Sequence, residues 1–125
     1  MENIFTDKAP KPIGPYCQAM RHGDVVYCSG QIALDPLTGE FCGGDITAQT
    51  RQVCQNIGAV LAAAGTDFEH VIKTTCFLAD MRDFAAFNQI YGSYFASAPA
   101  RSCVAAAQLP KDALVEIEVI AAVAE

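Results

Sequence analysis

The stretch DITAQTRQVCQNIGAVLAAAG, residues 45–65, decides the fold because it predicts a long amphipathic helix with both ends marked. Asp45 is typical of an N-cap residue, and Gly65 is typical of the C′ position that ends a helix. The residues that recur at helical spacing on one face are Ile46, Thr50, Val53, Cys54, Ile57, Val60, Leu61 and Ala64. This helix therefore needs another element to cover its apolar face.

The segments on both sides of this helix predict a sheet. The extended segment PKPIGP, residues 10–15, leads into a first strand. Runs of β-branched and aromatic residues predict further strands at about 25–34, 71–79, 100–107 and 114–123. These strands supply the surface against which a helix can pack.

A second helix is predicted after Asp80, where Phe84, Phe87, Tyr91 and either Tyr94 or Phe95 share a face. The order is β-β-α-β-α-β-β, in a single domain over residues 1–125. Both helices connect strands, so right-handed crossovers would place both on one face of a mixed sheet. The prediction is an α+β two-layer sandwich. Its other face would lack a cover, and we expect a multimer that supplies one.

Composition narrows the classes of function. The net charge of −6 and the sequence pI of about 4.7 argue against a protein that binds the phosphate backbone of nucleic acids, so RNA or DNA as a partner is disfavoured. No apolar run approaches the length of a membrane span, and the first residues, MENIFTDKAP, do not resemble a signal peptide. We expect a cytoplasmic protein.

The cysteines favour reduced thiols over a metal site or a disulfide framework. They stand at positions 17, 28, 42, 54, 76 and 103, and no two form a C-x-x-C pair. The two histidines, His22 and His70, are far from any pair of cysteines in the sequence, so a zinc site is disfavoured. We expect mostly buried thiols and no metal.

The segment PARSCV, residues 99–104, places an arginine in an otherwise strand-like run. Side chains alternate along a strand, so Arg101 and Cys103 share one face, and Glu116 and Glu118 share a face of the last strand. If the two strands are neighbours, Arg101 and a glutamate can meet. They would form either a structural ion pair or a carboxylate-binding arginine beside an acid–base glutamate, and periodicity does not choose between the two.

Other polar residues carry weaker signals. Cys103 beside a cation could be a nucleophile, but no histidine base is placed near it. Tyr16 is either a core tyrosine or a pocket wall, and Asn88 lies near the apolar face of the second helix. Ser29 lacks the sequence context of a serine nucleophile. Gly30 is predicted to be a bulge or a point of close approach.

Five segments of the chain together resemble the RidA family, the YjgF-type reactive-intermediate deaminases. They are IGPYCQA (13–19), YCSGQIALDPLTGE (27–40), DITAQTRQVCQNI (45–57), KTTCFLADMRDFAAFNQIY (73–91) and PARSCVAAAQLPKDALVEIEVIA (99–121). The resemblance implies a chorismate-mutase-like fold, in which two helices lie on one face of a mixed sheet. It also implies a homotrimer with three pockets between subunits.

The resemblance further implies a site and an activity. Arg101 would bind the carboxylate of a 2-imino acid or of its enamine tautomer, and Glu116 would position the attacking water. Further pocket positions would be Tyr16, Ser29, Asn88 and Cys103, with Gly30 offering its backbone. The products would be ammonia and a 2-keto acid, and no metal or organic cofactor would be required.

One segment departs from the family pattern. Only Ala96, Ser97 and Ala98 separate Phe95 from Pro99, where the family usually carries several more residues. Substrate size preference is therefore open. Two rival functions also stand: a regulatory trimer that binds a small carboxylate without turnover, and an RNA-cleaving translation inhibitor, which the acidic composition disfavours.

Overall fold

A computed structural model describes residues 1–123 of the chain. The strands are β1 (Glu2–Ile4), β2 (Ala19–His22), β3 (Val25–Gln31), β4 (Val71–Leu78), β5 (Ala100–Ala105) and β6 (Val115–Ala122). The helices are α1 (Ile46–Ala63) and α2 (Phe84–Tyr94). Short 3₁₀ turns precede β4, α2 and β6.

The strands form a mixed sheet in the order β1-β2-β3-β6-β4-β5. Strands β4 and β5 are parallel, whereas the remaining pairs in the described part of the chain are antiparallel. Helix α1 joins β3 to β4, and α2 joins β4 to β5. Both helices pack on the sheet, so the predicted α+β architecture is confirmed.

Helix α1 begins and ends where the sequence predicted. The Asp45 side chain accepts a hydrogen bond from the Ala48 N–H at 2.9 Å, which satisfies a donor that the first turn leaves free. Gly65 takes a φ of +80° just after the helix, a conformation that favours glycine. Buried polar side chains tie α1 to the rest of the chain, for example through the bond from Asn56 Nδ2 to the Leu34 carbonyl at 2.9 Å.

The secondary structure differs from the prediction in one added strand, in several strand ends and in the start of the second helix. Strand β1 was not predicted, because its three residues carry little pattern and it is held by pairing with β2. Strand β3 ends at Gln31 rather than at residue 34, because its pairing with β6 stops at Gln31 and Ile117. Asp80 caps the short 3₁₀ turn Met81–Asp83 rather than α2, and α2 begins at Phe84.

The two faces of the sheet differ in what covers them. Alternate residues of β6 are buried on the side of the helices: Val115, Ile117, Val119 and Ala121. The opposite side, called the open face below, is formed by Tyr27, Lys73, Thr75, Phe77, Glu116, Glu118 and Ile120. Its end near Phe77 packs against a small apolar cluster formed by Ile32, Leu34, Leu109 and Ala113, whereas neither helix of residues 1–123 covers this face, and Tyr27 is 50% exposed there. The predicted multimer stays a prediction.

None of the helices within residues 1–123 has the length and apolar character needed to cross a membrane. In the same residues, no group of three or more His, Cys, Asp or Glu side chains is arranged to hold a metal ion.

Candidate active site

Four of the residues predicted for the site lie around one cavity on the open face. The cavity has a volume of about 360 Å³. Its lining residues are Tyr16, Ser29, Gly30, Pro110, Glu116 and Glu118. An adjacent cavity of about 200 Å³ shares four of these residues and adds apolar walls from Ile13, Ile32 and Leu34. We call this region the glutamate half-site.

A bulge in β3 shapes the glutamate half-site. The register between β3 and β6 shifts between Cys28 and Gln31, which leaves Ser29 and Gly30 outside the regular ladder. The Ser29 hydroxyl donates to the Cys17 carbonyl at 2.7 Å, so its proton is already used and its oxygen can serve only as an acceptor for a ligand in the cavity. The prediction of a bulge or close approach at Gly30 is therefore confirmed.

Gly30 leaves the space that the Glu116 carboxylate occupies. A Cβ added at Gly30 would overlap the carboxylate and lie 3.0 Å from Glu116 Cδ and 3.1 Å from Cγ. A larger residue at position 30 would thus displace the Glu116 side chain. The glycine is required by this contact and not by its backbone dihedrals.

Glu116 has an electrostatic environment suited to a base. Burial, and then the like charge of Glu118 two residues along the same face, raise the pKa of the Glu116 carboxyl above its usual range. A carboxylate with a raised pKa accepts protons more readily at neutral pH than an ordinary exposed glutamate. Glu118 was noted in the sequence for sharing a face with Glu116, but its influence on the pKa was not predicted.

Arg101 lies in a different place, on the edge strand β5 beneath α2. Its Nη1 donates to Asn88 Oδ1 at 2.7 Å. The guanidinium carbon stands over the rings of Tyr91, Phe84 and Phe87, at 4.8, 5.5 and 5.9 Å from their centroids. Within residues 1–123, no carboxylate lies within ion-pair distance of Arg101. We call this region the arginine half-site.

The structure does not pair Arg101 with Glu116 in one chain. Strands β5 and β6 are not neighbours, because β4 lies between them. Arg101 aligns with Thr74, which is buried under the helices, whereas Glu116 aligns with Phe77 on the open face. The two side chains therefore leave the sheet on opposite sides. The interpretation of an Arg–Glu ion pair within the chain is wrong.

Cys103 lies in the arginine half-site, on the same side of β5 as Arg101. It aligns with Cys76 of β4 and is half-buried. Burial raises the pKa of the Cys103 thiol, and the nearby Arg101 opposes this only in part. A neutral thiol is a poor nucleophile, which disfavours covalent catalysis. All six cysteines are free, and burial raises the pKa of Cys28, Cys54 and Cys76 to about 12.

The aromatic surroundings of Arg101 were not predicted. The sequence placed Phe84, Phe87 and Tyr91 on one face of a helix but did not indicate that Arg101 would lie beside them. One sequence feature could have predicted these surroundings. Strand β5 follows α2 directly, so a parallel crossover brings the strand that carries Arg101 beneath the aromatic face of α2. Asn88, predicted for the pocket, is the hydrogen-bond partner of the guanidinium.

The connection from α2 to β5 is as short as the sequence suggested. Ala98 takes a φ of +55°, which alanine rarely adopts, and its N–H donates to the Phe95 carbonyl at 3.0 Å. The tight turn delivers Pro99 directly to β5. Its influence on substrate size stays a prediction.

Comparison with known proteins now identifies the family. The sequence model of the family described as endoribonuclease L-PSP matches residues 6–123. The chain belongs to this family, the RidA (YjgF-type) family.

Similar proteins of this RidA family span nearly the whole chain. A RutC family protein of Pyrococcus horikoshii is 55% identical over 121 residues, covering 96% of this chain and 96% of that protein. The mouse 2-iminobutanoate/2-iminopropanoate deaminase is 48% identical over 119 residues, covering 94% of this chain and 88% of the mouse protein. The crystal structure of E. coli TdcF with bound serine has a TM-score of 0.94 at 41% identity, covering 99% of this chain and 100% of TdcF.

Proposed function

We propose that this chain is a deaminase of reactive 2-imino acids and their enamine tautomers, such as 2-aminoacrylate, 2-iminopropanoate and 2-iminobutanoate. The proposal rests on the environment of the Arg101 guanidinium. It is held by an amide and three rings, and no carboxylate of residues 1–123 neutralises it. Such a cation is suited to bind an incoming carboxylate. The similarity to the mouse deaminase supports the proposal.

The complete site would be assembled from two copies of the chain in a homotrimer. Arg101, Asn88 and Cys103 lie at the edge of the sheet, whereas Tyr16, Ser29, Gly30 and Glu116 lie at the uncovered face. An edge strand of one subunit placed against the open face of the next would bring both half-sites to one pocket. The same contact would cover the apolar residues of the open face.

In the proposed mechanism, Arg101 binds the substrate carboxylate and holds the C=N carbon beside Glu116. Glu116 accepts a proton from a water molecule as the water oxygen bonds to that carbon, and the C=N π electrons move to nitrogen. The proton then passes to the amine nitrogen of the tetrahedral adduct. Glu116, free again, takes the remaining hydroxyl proton of the adduct as the C=O bond forms, and the C–N bond breaks with its electron pair going to nitrogen, so that ammonia leaves and a 2-keto acid remains. Hydrolysis of a C=N bond is redox-neutral, and we expect no metal or organic cofactor.

Gly30→Ala is expected to lower kcat for 2-iminobutanoate by about a hundredfold, because the added Cβ displaces the Glu116 carboxylate. The fold should persist, since the displaced atoms are the end of a flexible side chain. Steady-state ammonia release and a urea unfolding curve measure the two effects. Gly92→Ala is the matched control, because a Cβ there meets nothing within 4 Å and activity should be unchanged. Full activity of the Gly30 variant would contradict the role of this contact.

Cys103→Ala is expected to retain at least about a tenth of the wild-type kcat, because the thiol is neutral and shapes the pocket without reacting. The same ammonia assay measures this. Complete loss of activity in a variant with the wild-type oligomeric state would restore the interpretation of Cys103 as a nucleophile.

A regulatory trimer that binds a small carboxylate without turnover is the second candidate. The serine bound to E. coli TdcF supports it, because serine carries a carboxylate beside an amino group. RNA cleavage, named in the family description, is disfavoured by the net charge of −6.

The free thiols favour a reducing compartment, which supports a cytoplasmic location.

The deciding experiment is a coupled assay in which a dehydratase generates 2-iminobutanoate or 2-iminopropanoate in the presence of the purified chain. We expect ammonia release to be accelerated above the spontaneous rate. Calorimetry with 2-oxobutanoate provides a separate measure of carboxylate binding. Binding of 2-oxobutanoate without any acceleration would overturn the deaminase and favour the regulator.

A further inference from the structure

The guanidinium of Arg101 is supported by α2, and no carboxylate of residues 1–123 serves as its counter-charge. Its side chain donates one hydrogen bond within residues 1–123, to Asn88, and its broad face rests over aromatic rings, with Tyr91 nearest at 4.8 Å. A guanidinium has five N–H donors, so the remaining donors stay available to a ligand. Correct orientation of the cation then depends on how firmly the rings beneath it are held.

Tyr91 is held by a hydrogen bond as well as by packing. Its hydroxyl and the Thr74 hydroxyl share a hydrogen bond of 2.7 Å, in which either group can donate. Its ring stacks on Phe95, with centroids 4.4 Å apart and planes at 20°, and also contacts Phe87 at 5.4 Å. Both Thr74 and Tyr91 are buried. The ring therefore has little freedom to tilt or slide.

Thr74 links this ring to the strand that carries the arginine. Thr74 of β4 aligns directly with Arg101 of β5 in the parallel ladder. The pairing of β4 with β5 therefore fixes the position of the Arg101 Cα relative to the Thr74 hydroxyl that binds Tyr91. The guanidinium and its aromatic support are fixed relative to each other through β4.

We propose that Tyr91, tied to Thr74, is a positioning residue that holds the Arg101 guanidinium ready for a substrate carboxylate. The inference rests on the proposed function. An aspartate or glutamate at this place would also orient the guanidinium, but it would neutralise the charge and compete with the substrate for the same donors. A ring face attracts the cation through its quadrupole and leaves the N–H edges open.

The neutral state of Tyr91 suits this role. Burial is the main cause that raises the pKa of the Tyr91 hydroxyl, and the bond with Thr74 opposes it. At neutral pH the hydroxyl keeps its proton, so no phenolate competes with the incoming carboxylate.

The test compares Tyr91→Leu with Tyr94→Leu in the intact protein. Tyr94 lies on the same helix and packs against Phe68, at 5.6 Å between centroids, without contacting Arg101. We expect Tyr91→Leu to raise the KM for 2-iminobutanoate and the Kd for 2-oxobutanoate by about tenfold, with a smaller change in kcat. Tyr94→Leu should leave both unchanged. Loss of packing alone would reduce the folded fraction, and thus kcat, without moving KM.

Two milder variants and a control keep the test decisive if Tyr91→Leu fails to fold. Tyr91→Phe and Thr74→Val each remove one hydroxyl, and with it the hydrogen bond between the two residues, but retain the ring. We expect each to raise the Kd for 2-oxobutanoate about threefold. Thr74→Ser keeps the hydroxyl and should restore the wild-type Kd. Unchanged Kd and KM in Tyr91→Phe and Thr74→Val, or in a folded Tyr91→Leu, would overturn the positioning role. If the wild type binds 2-oxobutanoate but releases no ammonia, the proposed activity fails while the Kd comparison still tests Tyr91.

Discussion

Arg101→Ala is expected to lower kcat/KM for 2-iminobutanoate by about a thousandfold, because the substrate carboxylate loses its charged partner. The guanidinium is the one cation at the arginine half-site of the described residues, and it already rests on Asn88 and three rings. Its removal leaves no other cation of residues 1–123 at this place to bind the carboxylate. Binding of 2-oxobutanoate, measured by calorimetry, should fall with the activity.

Two further variants show whether the loss is specific to the guanidinium. Arg51 is exposed on α1 and is not among the residues of either half-site, so Arg51→Ala should behave as wild type. Arg101→Lys keeps the charge but not the planar pair of donors, and we expect it to recover only a small part of the activity. Ammonia release from Arg101→Ala at the wild-type rate would remove the carboxylate-binding role.

Glu116→Gln is expected to lower kcat by about a thousandfold while 2-oxobutanoate still binds, because glutamine cannot accept the proton of the attacking water. The Kd of the keto acid and the kcat for the imine, measured on the same preparation, separate binding from chemistry. A parallel loss of both would indicate that Glu116 supports the pocket instead of the reaction.

The pH profile gives an independent check on Glu116. The raised pKa means that the reactive carboxylate is lost as the pH falls, at a higher pH than for an ordinary glutamate. Wild-type kcat should therefore decline on the acid side of neutrality, and this decline should vanish in the residual activity of Glu116→Gln. Besides burial, the charge of Glu118 raises the pKa of Glu116, and Glu118→Gln removes that charge. The decline in kcat of this variant should therefore occur at a lower pH than in the wild type. A shift in the opposite direction would contradict the assignment.

The local parts of the fold could be predicted from the sequence because their signals are short-range. Asp45 and Gly65 mark the ends of α1 through the hydrogen bonds and dihedrals of single turns. Strand order could not be predicted, because pairing depends on contacts between distant segments. The insertion of β6 between β3 and β4 has no local signature, and it separates Arg101 from Glu116.

Side-chain alternation predicted which site residues share a face within one strand. It correctly placed Arg101 with Cys103 on one face of β5, and Glu116 with Glu118 on one face of β6. It could not reveal that these faces are opposite sides of the sheet, because that depends on which side the helices cover. The family resemblance placed the pocket between subunits, and the two separated half-sites support this as a proposal.

A site shared between subunits can be tested by mixing two inactive variants. Arg101→Ala and Glu116→Gln subunits, carrying different tags, are co-expressed and the mixed oligomers are isolated through both tags. If each pocket takes its arginine and its glutamate from neighbouring copies, some pockets in the mixed oligomers contain both wild-type residues. Every mixed trimer then holds one such pocket out of three, so we predict that the isolated mixed oligomers recover about a third of the wild-type rate of ammonia release. A mixture that stays as inactive as either variant alone would contradict a site shared between subunits.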